Sequence, residues 1–581
     1  MSTSTFLSEF PAVSTEAWER AIHEDLKGAD YAEKLIWRTP EGIDVKPYFR
    51  AEDVAGLAFL EAAPGEFPYV RGTSSSGGWR IREEIDVVDP EEANTAARCA
   101  VAAGAEEIAF CAAAVENSSD LGILLANLGE IPVHFLGNDR RTVDLLIERL
   151  ARRQNAAAIS TRLDGSVDLD ASADLLARSP ATLVPFTIDL EELQDHGATA
   201  VDEVGYALGA GVDFVAGMKE RGLAADRAAD SVTFSFAMGP DFFAQIAKLR
   251  AFRMVWAQAL ETFGATPEHA KARVYARTAR WNRTVYDPHA NMLRATTEAI
   301  AAIMGGADSL YVAPFDACYK EPDEFSRRMA RNTQLILKQE AFLARVADPG
   351  GGSYLLERLT DAIASKAWKL LQDIEAEGGY RKANEAGVIA RSLEERRTAR
   401  DKAVTSRRRV LTGANRFADA SERALDRIER QEPGPRRAAE PFEQLRLRTE
   451  RHAIETGKTP CVLLAEIGDA KMRSARSAFA ADFFACAGFD IRTERFDDAG
   501  HIATSKADVI VLCSSDAEYL ALATDLLPEL KECGVAAPVI VAGNPETSAQ
   551  LKALGVSDFV HLRSDLIELL TKLQRQLGIK D

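Results

Sequence analysis

The sequence predicts an α/β protein: an N-terminal (β/α)8 TIM-type barrel followed by a flavodoxin-like, doubly wound domain. Three observations predict it. Between residues 79 and 316, eight short runs rich in β-branched residues alternate with longer amphipathic stretches, the order expected of a closed parallel barrel. After residue 458, five further runs alternate with helical stretches in the same way, as in an open parallel sheet covered on both faces. Between the two, residues 392–457 turn to a dense mixture of charges with several prolines, the composition of a connection over the surface.

Residues 1–70 form an N-terminal arm in this division, and residues 71–391 the barrel with its trailing helices. The eight runs are "WRIREEIDV" (79), "EEIAFCA" (106), "PVHFLG" (132), "AAAISTRL" (156), "ATLVPFTID" (181), "SVTFSFAMG" (231), "ARVYARTAR" (272) and "DSLYVAPFD" (308). The count is eight, with seven and nine left open. "WRIREEIDV" alternates charge with apolar residues, which fits either a polar barrel interior or a partly exposed strand. Long helices follow, joined through "ADPGGGSY". No lysine follows Gly350–Gly352 and no strand precedes them, so a helix-to-helix turn is expected rather than a phosphate cradle. Residues 392–457 read as a charged linker, and Arg407, Arg408 and Arg409 within it as a solvated face. Residues 458–581 supply strands at "PCVLLAEIG", "FDIRTERF", "ADVIVLC", "APVIVAG" and "SDFVHL". A ligand crevice is expected at their carboxyl ends, beginning at "GDAKMRS" after the first strand.

Composition excludes several roles. Lysine and arginine number 70 against 89 aspartates and glutamates, a formal charge of -19. Such a surface repels phosphate polymers and anionic lipid, so neither nucleic acid nor membrane is an expected partner. No run is long enough to span a bilayer. The opening residues carry early acid and lack a basic start followed by an apolar run, so no secretory leader is expected. The seven cysteines are scattered, and none is spaced as a CxxC pair. This suits reduced thiols in a cytoplasmic protein with no metal site.

Particular segments are more specific than composition. "KLIWRTPEGIDVKPYF", "PYVRG", "HGATAVDEVGYALGAGVDFV", "FFAQIAKLRAFRMVWAQ", "RMARNTQLILKQEAFLARVADPGGGSYLLERLT", "KAWKLLQDIEAEGGY" and "AFAADFFACAGFDI" occur in this order over most of the chain. In these segments the chain resembles the methylmalonyl-CoA mutase family. The resemblance implies a barrel that encloses an acyl-CoA thioester and a cobalamin-binding-type second domain. Adenosylcobalamin would supply the radical, in the interconversion of methylmalonyl-CoA and succinyl-CoA within propionate metabolism.

The residues expected of a catalytic member are missing from three sets, the first of which spans two segments of the second domain. The family's DxHxxG turn provides a histidine that ligates cobalt and an aspartate that orients it. Here the segment is "GDAKMRSA": Asp469 matches the aspartate, and Met472 or Arg473 falls where the histidine would be. No histidine occurs between Cys461 and Gly500. Positions that match the family's slot for the cofactor's nucleotide tail read Cys513, Ser514 and Ser515, then Ala542 and Gly543, so a filled slot is expected. In the barrel, a tyrosine-histidine pair before a GATA-like stretch binds the thioester carbonyl in catalytic members. Here Glu191 and Glu192 stand there, with His196 four residues further on. A carboxylate about 4 Å from a carboxylate substrate repels it by about 4 kcal/mol at an effective dielectric near 20, unless it takes up a proton. Finally, "RGTSSSGGWR" has no tyrosine or arginine between Gly72 and Trp79 to screen a radical.

The resemblance therefore implies the small, non-catalytic subunit of a heterodimeric mutase. In this reading no metal or cofactor is held by the chain itself, adenosylcobalamin is in the large catalytic subunit, and the N-terminal arm wraps that partner. The alternatives are an active acyl-CoA isomerase of altered substrate that uses Glu191 or Glu192 as acid, and a mutase-binding regulatory protein.

Overall fold

The computed structural model describes residues 13–137, 139–151, 158–429, 436–497, 501–502 and 505–580. A small antiparallel hairpin, β1 (Trp37–Arg38) and β2 (Asp44–Val45), precedes the barrel. The barrel strands are β3 (Arg80–Ile85), β4 (Glu107–Cys111), β5 (Val133–Leu136), β6 (Ile159–Leu163), β7 (Leu183–Asp189), β8 (Val232–Met238), β9 (Val274–Thr278) and β10 (Ser309–Tyr311). Each of the eight expected runs supplies one. The barrel closes because β10 pairs in parallel with both β9 and β3, setting Ser309 opposite Tyr275 and Arg80.

Local chemistry starts the covering helices. Asp89 accepts from the backbone N–H groups of Glu91 and Glu92, and Pro90 opens the helix Pro90–Ala102, where a missing N–H costs nothing. Thr199 and Asp202 cap Ala200–Glu220 reciprocally, a capping box. Its glycines let neighbouring helices come close. A Cβ on Gly205 would lie 2.6 Å from Leu370, and one on Gly211 2.5 Å from Trp256. The three-glycine turn joins two helical segments, as expected. Its role is to approach a buried ion cluster: Arg71 reaches Asp348 at 3.0 Å and Glu357 at 3.1 Å, and Arg250 reaches Glu357 at 2.6 Å. A Cβ on Gly351 would collide with the Arg71 guanidinium.

In the second domain β11 (Cys461–Glu466), β12 (Asp490–Arg495), β13 (Val509–Cys513), β14 (Val539–Val541) and β15 (Asp558–Phe559) form a parallel sheet in the order β12-β11-β13-β14-β15. Separate apolar clusters cover its two faces. All seven cysteines are free thiols. Among the described residues no helix is long and apolar enough to cross a membrane.

The segment 392–457 departs from its expected form as a surface linker. Its residues 430–435 lie outside those described, but much of the remainder is buried. The helix Glu440–Thr456 buries Phe442, Leu445, Arg446 and Thr449, and Gln574 of the helix Leu566–Gln576 donates to Leu445 O at 2.6 Å. The three arginines do not act together as a solvated face. Arg407 pairs with Asp482 of the second domain, Arg409 with Asp241 at 2.7 Å, and only Arg408 stays exposed. Arginine hides its stem along apolar surface while its head finds a partner, and a partner some 75 or 168 positions away in sequence leaves no local pattern. Asn415 fixes this segment: fully buried, it accepts from Leu411 N at 2.7 Å and donates to Val404 O at 2.9 Å and Arg409 O at 2.8 Å. Asn415→Ala orphans these backbone groups and is expected to lower stability by about 1–3 kcal/mol. A urea denaturation midpoint shift checks it.

Candidate functional site

Because side chains alternate along a strand, one face of each barrel strand points to the axis, and here that face is polar. Tyr275 on β9 donates to Glu84 on β3 at 2.7 Å, across the intervening β10. Arg82 lies 3.6 Å over the Tyr275 ring and donates to Glu107 on β4 at 2.7 Å. His134 on β5 and Ser160 on β6 are 2.8 Å apart, and Arg277 lies over Tyr311 at 5.4 Å. The axis is thus occupied by long charged and aromatic side chains whose charges pair with one another, as buried charges must, while Arg82 Nη1 and Arg277 Nε find no hydrogen-bond partner among the described residues. "WRIREEIDV" is a strand with a polar inward face.

Burial alone would raise the Glu107 carboxyl, but Arg82 and Arg80 override it and hold it below its ordinary range. His134 is pushed well down by burial, then by Arg82 and Arg162, and is kept neutral.

The two carboxylates at the barrel mouth diverge. Glu191 is 2% exposed, with Arg162 at 3.0 Å and Arg277 at 3.2 Å. Burial would raise its pKa, yet Arg277 and then Arg162 outweigh that and lower it. Protonation of Glu191 is therefore disfavoured by Arg162 on β6 and Arg277 on β9, whose convergence there leaves no sign in the sequence. Glu192 is exposed and lines a cavity of about 470 Å³ with Arg162, Asp189 and Arg280. His196 caps the short helix Glu191–Asp195, exposed, with Nδ1 2.8 Å from Glu192 O.

The second candidate region is the crevice at the carboxyl ends of β11 and β13, where the strand order reverses. "GDAKMRS" forms the turn into the helix Ala470–Ala485. Asp469 caps it by accepting from Met472 N at 2.8 Å; Met472 and Arg473 sit in its first turn, and Arg473 donates back to Gly468 O at 3.0 Å. The crevice is closed by residues that sequence reasoning did not single out. Glu518 accepts from Ser514 Oγ at 2.7 Å, Ser515 Oγ at 2.6 Å and Asp469 N at 3.1 Å. Those hydrogen bonds, from Ser515 and Ser514 before Asp469, pull its carboxyl down to about 2. Next to it Tyr519, fully buried, donates to Ala542 O at 2.7 Å and accepts from Ser514 N at 3.0 Å. A Cβ on Gly543 would stand 3.3 Å from the Tyr519 ring and 3.0 Å from Asp516. Cys513 is buried in β13. The one available signal was an acid and a tyrosine shortly after a strand end.

The family model described as methylmalonyl-CoA mutase matches residues 38–121 and 142–481. The chain belongs to the methylmalonyl-CoA mutase family. It is 36% identical to the methylmalonyl-CoA mutase small subunit of Porphyromonas gingivalis, over 99% of this chain and 98% of that protein. It is 31% identical to the small subunit of Streptomyces virginiae, over 98% of each. The large subunit of the same Streptomyces is 29% identical, over 76% of this chain and 67% of that protein. For a mutase-family chain the crevice on the second domain is poorly suited to a corrin. Its polar groups are two serines, a carboxylate and a backbone N–H already bonded to one another, no imidazole is among them, and a Cβ at Gly468 would lie 2.5 Å from Glu518.

Proposed function

We propose that this chain is the non-catalytic small subunit of a heterodimeric, adenosylcobalamin-dependent methylmalonyl-CoA mutase, and that it stabilises a large catalytic partner. The observation that carries the reading is the crevice between β11 and β13, filled by Glu518 and Tyr519 of the chain itself. The clamped Glu191 supports it at the barrel mouth: a carboxylate held ionised by two arginines cannot donate a proton to a thioester carbonyl. In this reading the large subunit holds the cofactor and performs the isomerisation, this chain binds neither corrin nor metal, and the complex is cytoplasmic.

The N-terminal arm, residues 1–70, is the segment that would embrace the partner. Its residues 1–12 lie outside those described. The helix Thr15–Asp25 buries none of its residues, and Val13 and Trp18 are about half exposed, apolar area suited to cover by another chain.

The test is an absorbance titration of the purified single chain with adenosylcobalamin. No spectral change is expected at micromolar concentrations, and co-expression with the large subunit should give one cobalamin per heterodimer. A saturable shift on the single chain, or two cobalamins per heterodimer, would overturn the assignment.

A further inference from the structure

A second cavity, of about 650 Å³, lies apart from the barrel axis and from the β11–β13 crevice. It opens where residues 406–417 cross the second domain, between the helix Ala470–Ala485 and the loop that joins β15 to the helix Leu566–Gln576. These three segments supply its described lining. Its size falls in the range of small-molecule sites, about 300–1,000 Å³.

One side of the cavity is cationic. Arg407, Arg408 and Arg416 line it against the single acid Asp482, in a chain whose formal charge is -19. Asp482 is already engaged: it accepts from Phe417 N at 2.6 Å and from Arg416 at 3.2 Å, and pairs with Arg407. The Arg407 side chain is only 10% exposed, yet its Nε and Nη1 donate to nothing among the described residues. Arg408 is exposed and has no hydrogen-bond or ion-pair partner among them. A buried guanidinium with idle donors is costly, so an anion beside it is favoured. His561 adds a further donor. Its Nδ1 accepts from Arg563 N at 3.0 Å, which puts the proton of the neutral ring on Nε2.

The other side is apolar. Ala478 and the half-buried Phe479 form the wall on the helix, and Phe417 and Leu562 stand at the edge, 64% and 83% exposed. Phe417 has a φ of 58° less two, that is 56°, a left-handed conformation that bulky residues rarely adopt. Its N–H, fixed on Asp482, holds the ring out at the cavity. Strain of this kind collects at ligand clamps.

We propose that this cavity binds a small carboxylic acid with an apolar body. The carboxylate meets Arg407 Nε and Nη1, with Arg408 and His561 Nε2 beside it, through charge-assisted hydrogen bonds. The apolar body covers Phe417, Phe479 and Leu562 and removes their surface from water. A bare anion would satisfy the arginines and leave the apolar wall wet; a neutral hydrocarbon would do the reverse. Nothing in this site depends on whether the chain is catalytic.

Isothermal titration of the purified full-length chain with octanoate tests this, with acetate and octan-1-ol as separate probes of the two halves. Saturable binding of one octanoate per chain is expected at micromolar concentrations, with acetate and octan-1-ol each at least tenfold weaker. Arg408→Ala and Leu562→Ala, both at exposed positions, should each weaken octanoate binding at least fivefold while leaving the thermal midpoint unchanged. Octanoate binding no tighter than that of either fragment, or undiminished in either variant, would overturn the proposal.

Discussion

Tyr519→Ala is expected to destabilise the second domain by about 3–5 kcal/mol and still give no corrin site. The ring of Tyr519 is fully buried among the residues that pack the sheet face formed by β13 and β14, and truncating a large buried aromatic costs about 3–5 kcal/mol through lost burial and the cavity left behind. The hydroxyl adds a separate effect. It ties Ser514 N to Ala542 O, so its removal orphans one donor and one acceptor between adjacent strands. Tyr519→Phe isolates that effect and is expected to cost about 1–3 kcal/mol. Urea denaturation followed by circular dichroism separates the two variants. Neither should gain an adenosylcobalamin absorbance shift, because opening the slot supplies no imidazole to the turn at Gly468–Met472. A midpoint unchanged in Tyr519→Ala would mean that the crevice is not packed by this ring.

The strands of both domains were legible because each is a short apolar or alternating run bounded by turn residues, and burial imposes that pattern locally. β10 shows the limit: "DSLYVAPFD" yields only three paired residues, since the barrel needs just Ser309–Tyr311 to join β9 to β3. The polar barrel interior could be suspected from "WRIREEIDV" alone, because Arg82 and Glu84 repeat with the strand's own period. What could not be read was who meets whom. The Glu191 clamp joins residues 29 and 86 positions apart, and the packing of residues 404–449 depends on Tyr286, Asp482 and Gln574. Long-range pairing of this kind makes a charge-rich segment look like a solvated linker. The Glu518 and Tyr519 plug leaves little trace in the sequence for a related reason. Motifs mark the residues a ligand would touch, whereas the crevice is filled from the start of the helix Tyr519–Glu532 behind them.

Arg277→Met is expected to lower stability by about 3–5 kcal/mol at neutral pH, the cost of breaking a buried ion pair from one side. Glu191 would keep Arg162 at 3.0 Å, but Arg162 also serves Asp189 at 2.7 Å and cannot neutralise both. The pH dependence carries the sharper test. In the native chain the Glu191 carboxyl lies below its ordinary value, so its contribution is complete above about pH 4.3, the unfolded value, and is lost as pH falls through the folded one. Without Arg277, burial prevails and the folded value rises above the unfolded one. The variant then carries its full penalty at neutral pH and recovers stability as pH falls and the folded state binds the proton first. The gap between native chain and variant should narrow steadily from pH 7 towards pH 4.5 in urea denaturations at a series of pH values. Glu191→Leu combined with Arg277→Met should regain most of the loss and erase that pH dependence, since an apolar pair leaves no orphaned charge. A gap constant with pH would mean that Glu191 is not the group Arg277 holds ionised, and that the barrel mouth has an acid to offer after all.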